Sequence, residues 1–322
     1  AIHEADAVDV YGAPSSGFWV QWQDFALIEA AVGSGFIPAP LRKADGMRTT
    51  SWGTGQLIKA ALQHPSVRTV YVALGGSGST DGGMGLMAAL GAKFYDEDGH
   101  LLPARGDALG RVRRVEVPAA AKPLIGLYDA AVPLYGPQGA VHLFGRQKGI
   151  AEETLDDRDK EMMRYSASFS QPCAANSLVV GAGAAGGMGF GVLALGGVLQ
   201  AGAEKIAQWT HLDRWIRWAD VVVTGEGRID DQTEAGKTVW TVAQHARRFN
   251  RLVIAFVGQR QGNLHNLYQA GLQLVYPIAP GPIAGDDAIG QTAVLLQQAA
   301  RHVVPLLDFC AQHGAFNGAA RT

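Results

Sequence analysis

Residues 252–277 read LVIAFVGQRQGNLHNLYQAGLQLVYP, and this stretch sets the fold class. Leu252–Val257 is an unbroken apolar run of strand length, Leu264–Ala270 has the spacing of a short helix, and Leu272–Pro277 is apolar again. Strands buried on both faces read as continuous hydrophobic runs, so strand, helix and strand in succession point to a parallel crossover unit. Outward from there the rhythm repeats. Val221–Val223 is an earlier strand, followed by a loop and a helix over Val239–Arg248, and a last helix runs from Asp286 to about Phe309. Asp286 and Asp287 open that helix, where its positive end favours carboxylates. The alternation predicts an α/β fold, a parallel sheet covered by helices, with ligands at the carboxyl ends of the strands.

Toward the amino terminus the pattern is mixed. Alternation in Phe18–Gln23 and the apolar Phe25–Ile28 predict an antiparallel pair, and glycine and proline punctuate Gly33–Pro40. A helix fits Gly55–Gln63, with Pro65 beyond its end. Thr69–Leu74 is a β-branched and aromatic strand ending in Gly75-Gly76, and Leu124–Tyr128 is another buried strand ending at Asp129. Glu152–Ser166 reads as a charged surface helix or lid.

Composition narrows the function classes. Charged residues are 17% of the chain and net charge is −2, with no basic block of the kind that neutralises nucleic-acid phosphates. Two cysteines without a Cys-x-x-Cys pairing are consistent with a reducing cytoplasm and argue against a structural zinc site. Residues 178–203 carry no charge and are long enough to cross a bilayer. Nine glycines between Gly181 and Gly202 favour a buried turn leading into a core helix, so no membrane partner is expected.

The glycines concentrate in four loops: Gly75–Gly83 (GGSGSTDGG), Gly136–Gly149, Gly181–Gly189 and Gly225–Lys237 (GEGRIDDQTEAGK). Glycine lets successive backbone N–H groups converge on an anion, and a following helix adds its own donors. Hydroxyls and a carboxylate in the same loop suit a phosphate with its magnesium ion. Asp81, Glu226 and Asp230 each sit in such a loop, and Lys148 and Lys237 each end one. Any one of these acids serves equally well as a turn cap, and either lysine as a surface charge. Glu29 interrupts the apolar Phe25–Val32, where a buried carboxylate needs a partner. Gly236-Lys237-Thr238 ends like a phosphate-binding P-loop, but Asp231 stands where its leading glycine belongs. Gly181-Ala182-Gly183-Ala184-Ala185-Gly186 matches a dinucleotide fingerprint, weakly, because no second strand carries the acid it needs.

Six stretches occur in order: Leu27–Phe36 (LIEAAVGSGF), Arg48–Ile58 (RTTSWGTGQLI), Gly75–Gly85, Gly136–Gly149, Gly181–Gly189 and Thr224–Lys237. Together they resemble bacterial-type glycerate kinases, from about Val10 to the terminal helix. The resemblance implies two α/β domains, one flavodoxin-like and one restriction-enzyme-like, with the site between them. Residues 1–204 would be mainly the inserted restriction-enzyme-like domain, and 205–322 the carboxyl-terminal part of the flavodoxin-like one. The family's opening strand with its Asp-Ser-Phe-Lys-like loop is expected to be missing ahead of Ala1. Thr80 and Val132 stand where the family usually has asparagine.

The resemblance further implies ATP with Mg2+ as donor and D-glycerate, or a similar hydroxy acid, phosphorylated at its 2-hydroxyl. The catalytic candidates are Asp81, Lys148, Glu226, Asp230 and Lys237, with Asp81 and Glu226 as metal ligands. Glu29, Arg48, Thr49 and Arg228 are candidates for binding the acid. Gly75, Gly76, Ser77, Ser79, Gly82, Gly83, Gly183 and Gly186 are candidates for binding the nucleotide. The expected protein is cytoplasmic, with a homo-oligomer possible. Two other readings stand beside it: a truncated, non-catalytic paralogue that binds nucleotide or hydroxy acid, and an NAD-dependent oxidoreductase built on Gly181–Gly186.

Overall fold

β1 (Ile2–Val8) is a strand that the sequence reading did not anticipate. Ile2, Glu4 and Asp6 face solvent while His3, Ala5 and Ala7 turn inward, so the inner face carries too little hydrophobicity to show as alternation. A computed structural model describes residues 1–37, 45–230, 237–281, 283 and 285–314. The Pro38–Pro40 end of the glycine and proline punctuation and the Asp231–Gly236 part of the fourth glycine loop lie outside the described residues. The chain divides into two units, Ala1–Gly202 and Ala203–Thr322.

In unit 1, β1 is followed by β2 (Pro14–Trp22), β3 (Phe25–Glu29), α1 (Ala30–Ser34), α2 (Trp52–Gln63), β4 (Thr69–Ala73) and α3 (Met84–Ala89). Next come β5 (Lys93–Tyr95), β6 (Arg114–Glu116), β7 (Leu124–Tyr128), α4 (Ala140–Phe144), α5 (Leu155–Ala167), α6 (Gln171–Ala174), α7 (Ala184–Ala194) and β8 (Val198–Ala201). Six strands form one sheet in the order β1-β2-β3-β4-β7-β8. The expected antiparallel pair is β2–β3, with Val20 opposite Leu27. From β3 onward the sheet is parallel. Val70 and Val72 of β4 meet Leu57, Ile58 and Ala61 of α2 in the core, along with Met84, Leu86 and Met87 of α3. Fully burying one such aliphatic side chain contributes about 1.5–3 kcal/mol.

Two helices depart from expectation. α5 is charged along its exposed side, yet it buries Leu155, Arg158, Met162 and Tyr165, so it is part of the core wall and not a solvated lid. α7 is the expected buried helix, but Leu178, Val179 and Val180 before it are exposed. No helix among the described residues is long and apolar enough to cross a membrane.

Unit 2 contains α8 (Gly202–Trp209), α9 (Leu212–Trp218), β9 (Val221–Ile229), α10 (Thr238–Arg248), β10 (Leu252–Arg260), α11 (His265–Ala270), β11 (Leu274–Pro277), α12 (Gly285–Gly290) and α13 (Thr292–Gln312). The three strands pair in parallel in the order β11-β10-β9. Residues 252–277 thus form the crossover that their pattern predicts. β11 starts two residues late because Gly271, at φ +118°, closes α11 in a left-handed turn that takes Leu272 with it. The predicted terminal helix is broken between Gly290 and Thr292. Val253, Ala255 and Val257 pack with Val239, Ala243 and Leu267 in a second core. His245 of α10 lies between Asp213 Oδ1 (2.5 Å) and Glu204 Oε2 (3.1 Å), pinning α9 and α8 to α10.

Candidate active site

The Gly75–Gly83 loop leaves the carboxyl end of β4 and turns sharply, with Gly76, Gly82 and Gly83 at φ +67°, +65° and +75°. Side chains beneath it fix its course. Asp81 is fully buried, and its Oδ2 accepts from Ser51 N (2.7 Å), Ser51 Oγ (2.8 Å) and Gly85 N (2.9 Å), while Oδ1 accepts from Gly83 N (3.1 Å). Burial pushes its carboxyl above the usual range, and the hydrogen bonds to Ser51, Gly85 and Gly83 pull it back. Thr49 Oγ1 accepts from Thr80 N at 3.0 Å and donates to Gly46 O at 3.0 Å. These groups build the loop, and neither presents itself to a ligand. Asp81, expected as a catalytic residue and metal ligand, and Thr49, expected as a substrate contact, thus spend these atoms on the loop and its neighbours.

A cavity of about 310 Å³ opens where β4 and β7 end. Gly75, Gly76, Ser77, Asp129, Phe144 and Lys148 are among its walls. Lys148 is 6% exposed and donates from Nζ to Ser77 Oγ (3.0 Å) and to Ser79 O (2.9 Å). Burial lowers its pKa to about 8, against the pull of the Asp81 and Asp129 charges. A cation, a hydroxyl and a glycine turn sharing one concave wall is an arrangement suited to an anion.

The other candidates of unit 1 lie elsewhere. Ser79, Gly82 and Gly83 are buried within the loop itself. A Cβ on Gly183 would sit 2.1 Å from Pro133 O, and one on Gly186 would sit 1.9 Å from Ser79 O. Those glycines admit neighbouring backbone and leave no cradle for a nucleotide. The fingerprint also follows a 3-10 turn over Ala175–Leu178 and no strand, which removes the ground for the dehydrogenase reading. Glu29 is exposed at the end of β3 and bears no burial cost, the reason it had stood out. Arg48 is exposed beside Asp107, at 3.6 Å. Asp129, Phe36 and Phe144 were missed as wall residues. Asp129 had a readable signal, an acid directly after a buried strand, whereas the two rings had none.

In unit 2, β9 runs on through Gly225 to Ile229, so the fourth glycine loop begins as strand. Glu226 and Arg228 therefore sit two apart on one strand, with Asp230 just beyond it and Lys237 capping α10. Arg228 Nη2 donates to Gln261 Oε1 at 2.7 Å, and its Nε lies 3.3 Å from Asp230 Oδ2. Burial pushes the Glu226 carboxyl up; Lys237 opposes the rise and Asp230 adds to it. Its Oε2 is buried without a hydrogen-bond partner among the described residues. Glu226 also edges a cavity of about 960 Å³ with Val223, Phe256, Ile283 and Leu295.

The chain matches the model of the Glycerate kinase family over residues 1–308. It is 34% identical over 292 residues to the glycerate kinase of Bacillus cereus, covering 86% of this chain and 74% of that one. It is 32% identical over 289 residues to the glycerate 2-kinase of Escherichia coli, covering 88% and 76%. A crystal structure from Salmonella typhimurium LT2, assigned as glycerate kinase 2, superposes with a TM-score of 0.73 at 32% identity, over 97% of this chain and 84% of that one. Ordered glycine loops, a parallel sheet and a family match along nearly the whole chain agree: the protein belongs to the glycerate kinase family.

Proposed function

We propose that the protein transfers the γ-phosphoryl group of magnesium-ATP to the 2-hydroxyl of D-glycerate or a closely similar hydroxy acid, giving 2-phosphoglycerate. Family membership supplies the reaction class. The structural observation that supports it is Lys148, buried yet lining the cavity at the strand ends, with Nζ 3.0 Å from Ser77 Oγ. Phosphoryl transfer depends on positioning and charge neutralisation more than on covalent catalysis. The acceptor oxygen bonds to the γ-phosphorus, the bond to the departing ADP oxygen breaks, and the hydroxyl proton is lost. In this reading the Lys148 ammonium offsets charge developing on the transferred group. Gly75, Gly76 and Ser77 line its approach. Lys237 is the corresponding cation of unit 2, Arg228 a partner for the acid's carboxylate, and Glu226 or Asp230 the proton acceptor.

Magnesium accompanying ATP takes one or two carboxylates and fills its other positions with phosphate and water. Asp129 in the unit 1 cavity and the unpartnered Glu226 Oε2 in unit 2 suit that demand; the saturated Asp81 does not. When bound, the ion would neutralise charge on the β- and γ-phosphates. Among the described residues, Asp96, Asp98 and His100 are the one group of three drawn close enough to share an ion, and they are not wall residues of this cavity. The reading also takes unit 1 as the restriction-enzyme-like domain and unit 2 as part of the flavodoxin-like one, in a cytoplasmic protein acting on a small molecule.

A coupled assay of ADP release with magnesium-ATP tests the reading, with and without D-glycerate. Glycerate-dependent turnover that Lys148→Ala lowers by about a hundredfold is the expected result. Absent turnover, with either ligand still raising the melting temperature, would replace it with a non-catalytic paralogue.

A further inference from the structure

We infer that Arg158 is a positioning residue for the Gly75–Gly83 loop, holding the backbone against which Lys148 and Ser77 are set. The sequence around it, LDDRDKEMMRYSA, reads as a solvated helix. Its side chain nevertheless has 0% exposure. Nη2 donates to Thr80 O at 2.7 Å; Nη1 donates to Gly106 O at 2.7 Å and to Glu161 Oε2 at 2.9 Å. Gly106 makes room for it, since a Cβ there would lie 2.7 Å from Nη2.

A buried guanidinium carries a desolvation cost that an apolar residue of the same bulk would avoid. What it adds is a planar fork that fixes two distant carbonyls at once. Lys148 holds the carbonyl of Ser79 at 2.9 Å, and Arg158 holds the next one, Thr80. Thr49 holds the Thr80 N–H between them. Two consecutive peptide units are thereby pinned, one by a cation in the cavity wall and one by a cation behind it. Removing Arg158 leaves a buried carbonyl unsatisfied, and the peptide that rotates to find a partner is joined to the one Lys148 grips. The expected effect on turnover rests on the kinase reading; the expected effect on the loop does not.

The test compares the full chain with Arg158→Met, which keeps bulk and removes the donors, and Arg158→Lys, which restores a charged donor. Amide hydrogen exchange over residues 76–86 is measured beside that of β2, together with kcat and KM for D-glycerate. We expect Arg158→Met to speed loop exchange and lower kcat, each by roughly ten- to a hundredfold, with β2 unchanged and Arg158→Lys recovering part of both. Exchange rising equally in the loop and β2 would overturn the inference, leaving Arg158 as core packing. So would a loop unchanged in Arg158→Met. If Arg158→Met does not fold, Arg158→Lys decides: faster exchange confined to the loop supports positioning, and wild-type exchange with wild-type kcat overturns it. A silent wild-type enzyme whose variants show the loop-confined exchange would sink the kinase reading and leave the positioning role standing.

Discussion

An ammonium group 3.0 Å from Ser77 Oγ and 2.9 Å from Ser79 O is held by neutral oxygens, and burial brings its pKa down from 10.5 to about 8. Between those values the unfolded chain keeps the proton and the folded chain releases it. The cost of burying this charge is therefore fully present below pH 8 and is relieved as pH rises toward 10.5, a difference on the order of 3 kcal/mol. Denaturant titrations at pH 7 and pH 10 should show the wild type gaining stability relative to Lys148→Met. Activity should move the other way. If the ammonium neutralises the transferred phosphoryl group, kcat/KM falls as pH rises through about 8, and Lys148→Arg shifts that fall upward by more than a unit. A flat profile through pH 9 in the wild type would remove Lys148 from the reaction. Lys148 was legible as a charge ending a glycine loop. That it is buried was not, because the oxygens that hold it come from a segment about seventy residues earlier.

At the scale of elements, the glycine-rich start of α7 shows what local pattern conveys and what it leaves out. Its composition predicts close backbone approach, and that occurs, but against the Gly75–Gly83 loop. Gly82 N donates to Gly186 O at 3.0 Å, and a Cβ on Gly186, at φ +68°, would overlap Ser79 O. Gly186→Ala should therefore destabilise the protein by at least about 3 kcal/mol and reduce soluble yield. Gly227→Ala, whose Cβ would meet nothing within 4 Å among the described residues, should stay within about 0.5 kcal/mol. Thermal melts of the two side by side check this; equal losses would mean that backbone approach is not what Gly186 provides. β9 shows the opposite limit. Its apolar run was legible to Val223, but glycines and charges hid its continuation to Ile229, which pairing with β10 imposes.

For the whole molecule, two cores matter: one around β4, α2 and α3, the other around β10 and α10. Leu267 belongs to the second and is 1% exposed. Leu267→Ala should cost about 2–4 kcal/mol there. Native-state exchange should show it as lost protection in β9–β11, with β4 amides unchanged; loss spread evenly over both would argue that the chain has one cooperative core.

The sequence by itself determined the class of the fold, the parallel order of residues 252–277 and the family, because these rest on local apolar runs and on the order of glycine loops along one chain. Only the tertiary structure decided which polar residues line a cavity and which brace the backbone. Asp81 and Lys148 look alike in sequence, each a charge in a glycine loop. Hydrogen-bond geometry separates them: four donors saturate Asp81, while Lys148 lines the cavity wall. Whether a charge is saturated depends on partners distant in sequence, and no local pattern carries that information.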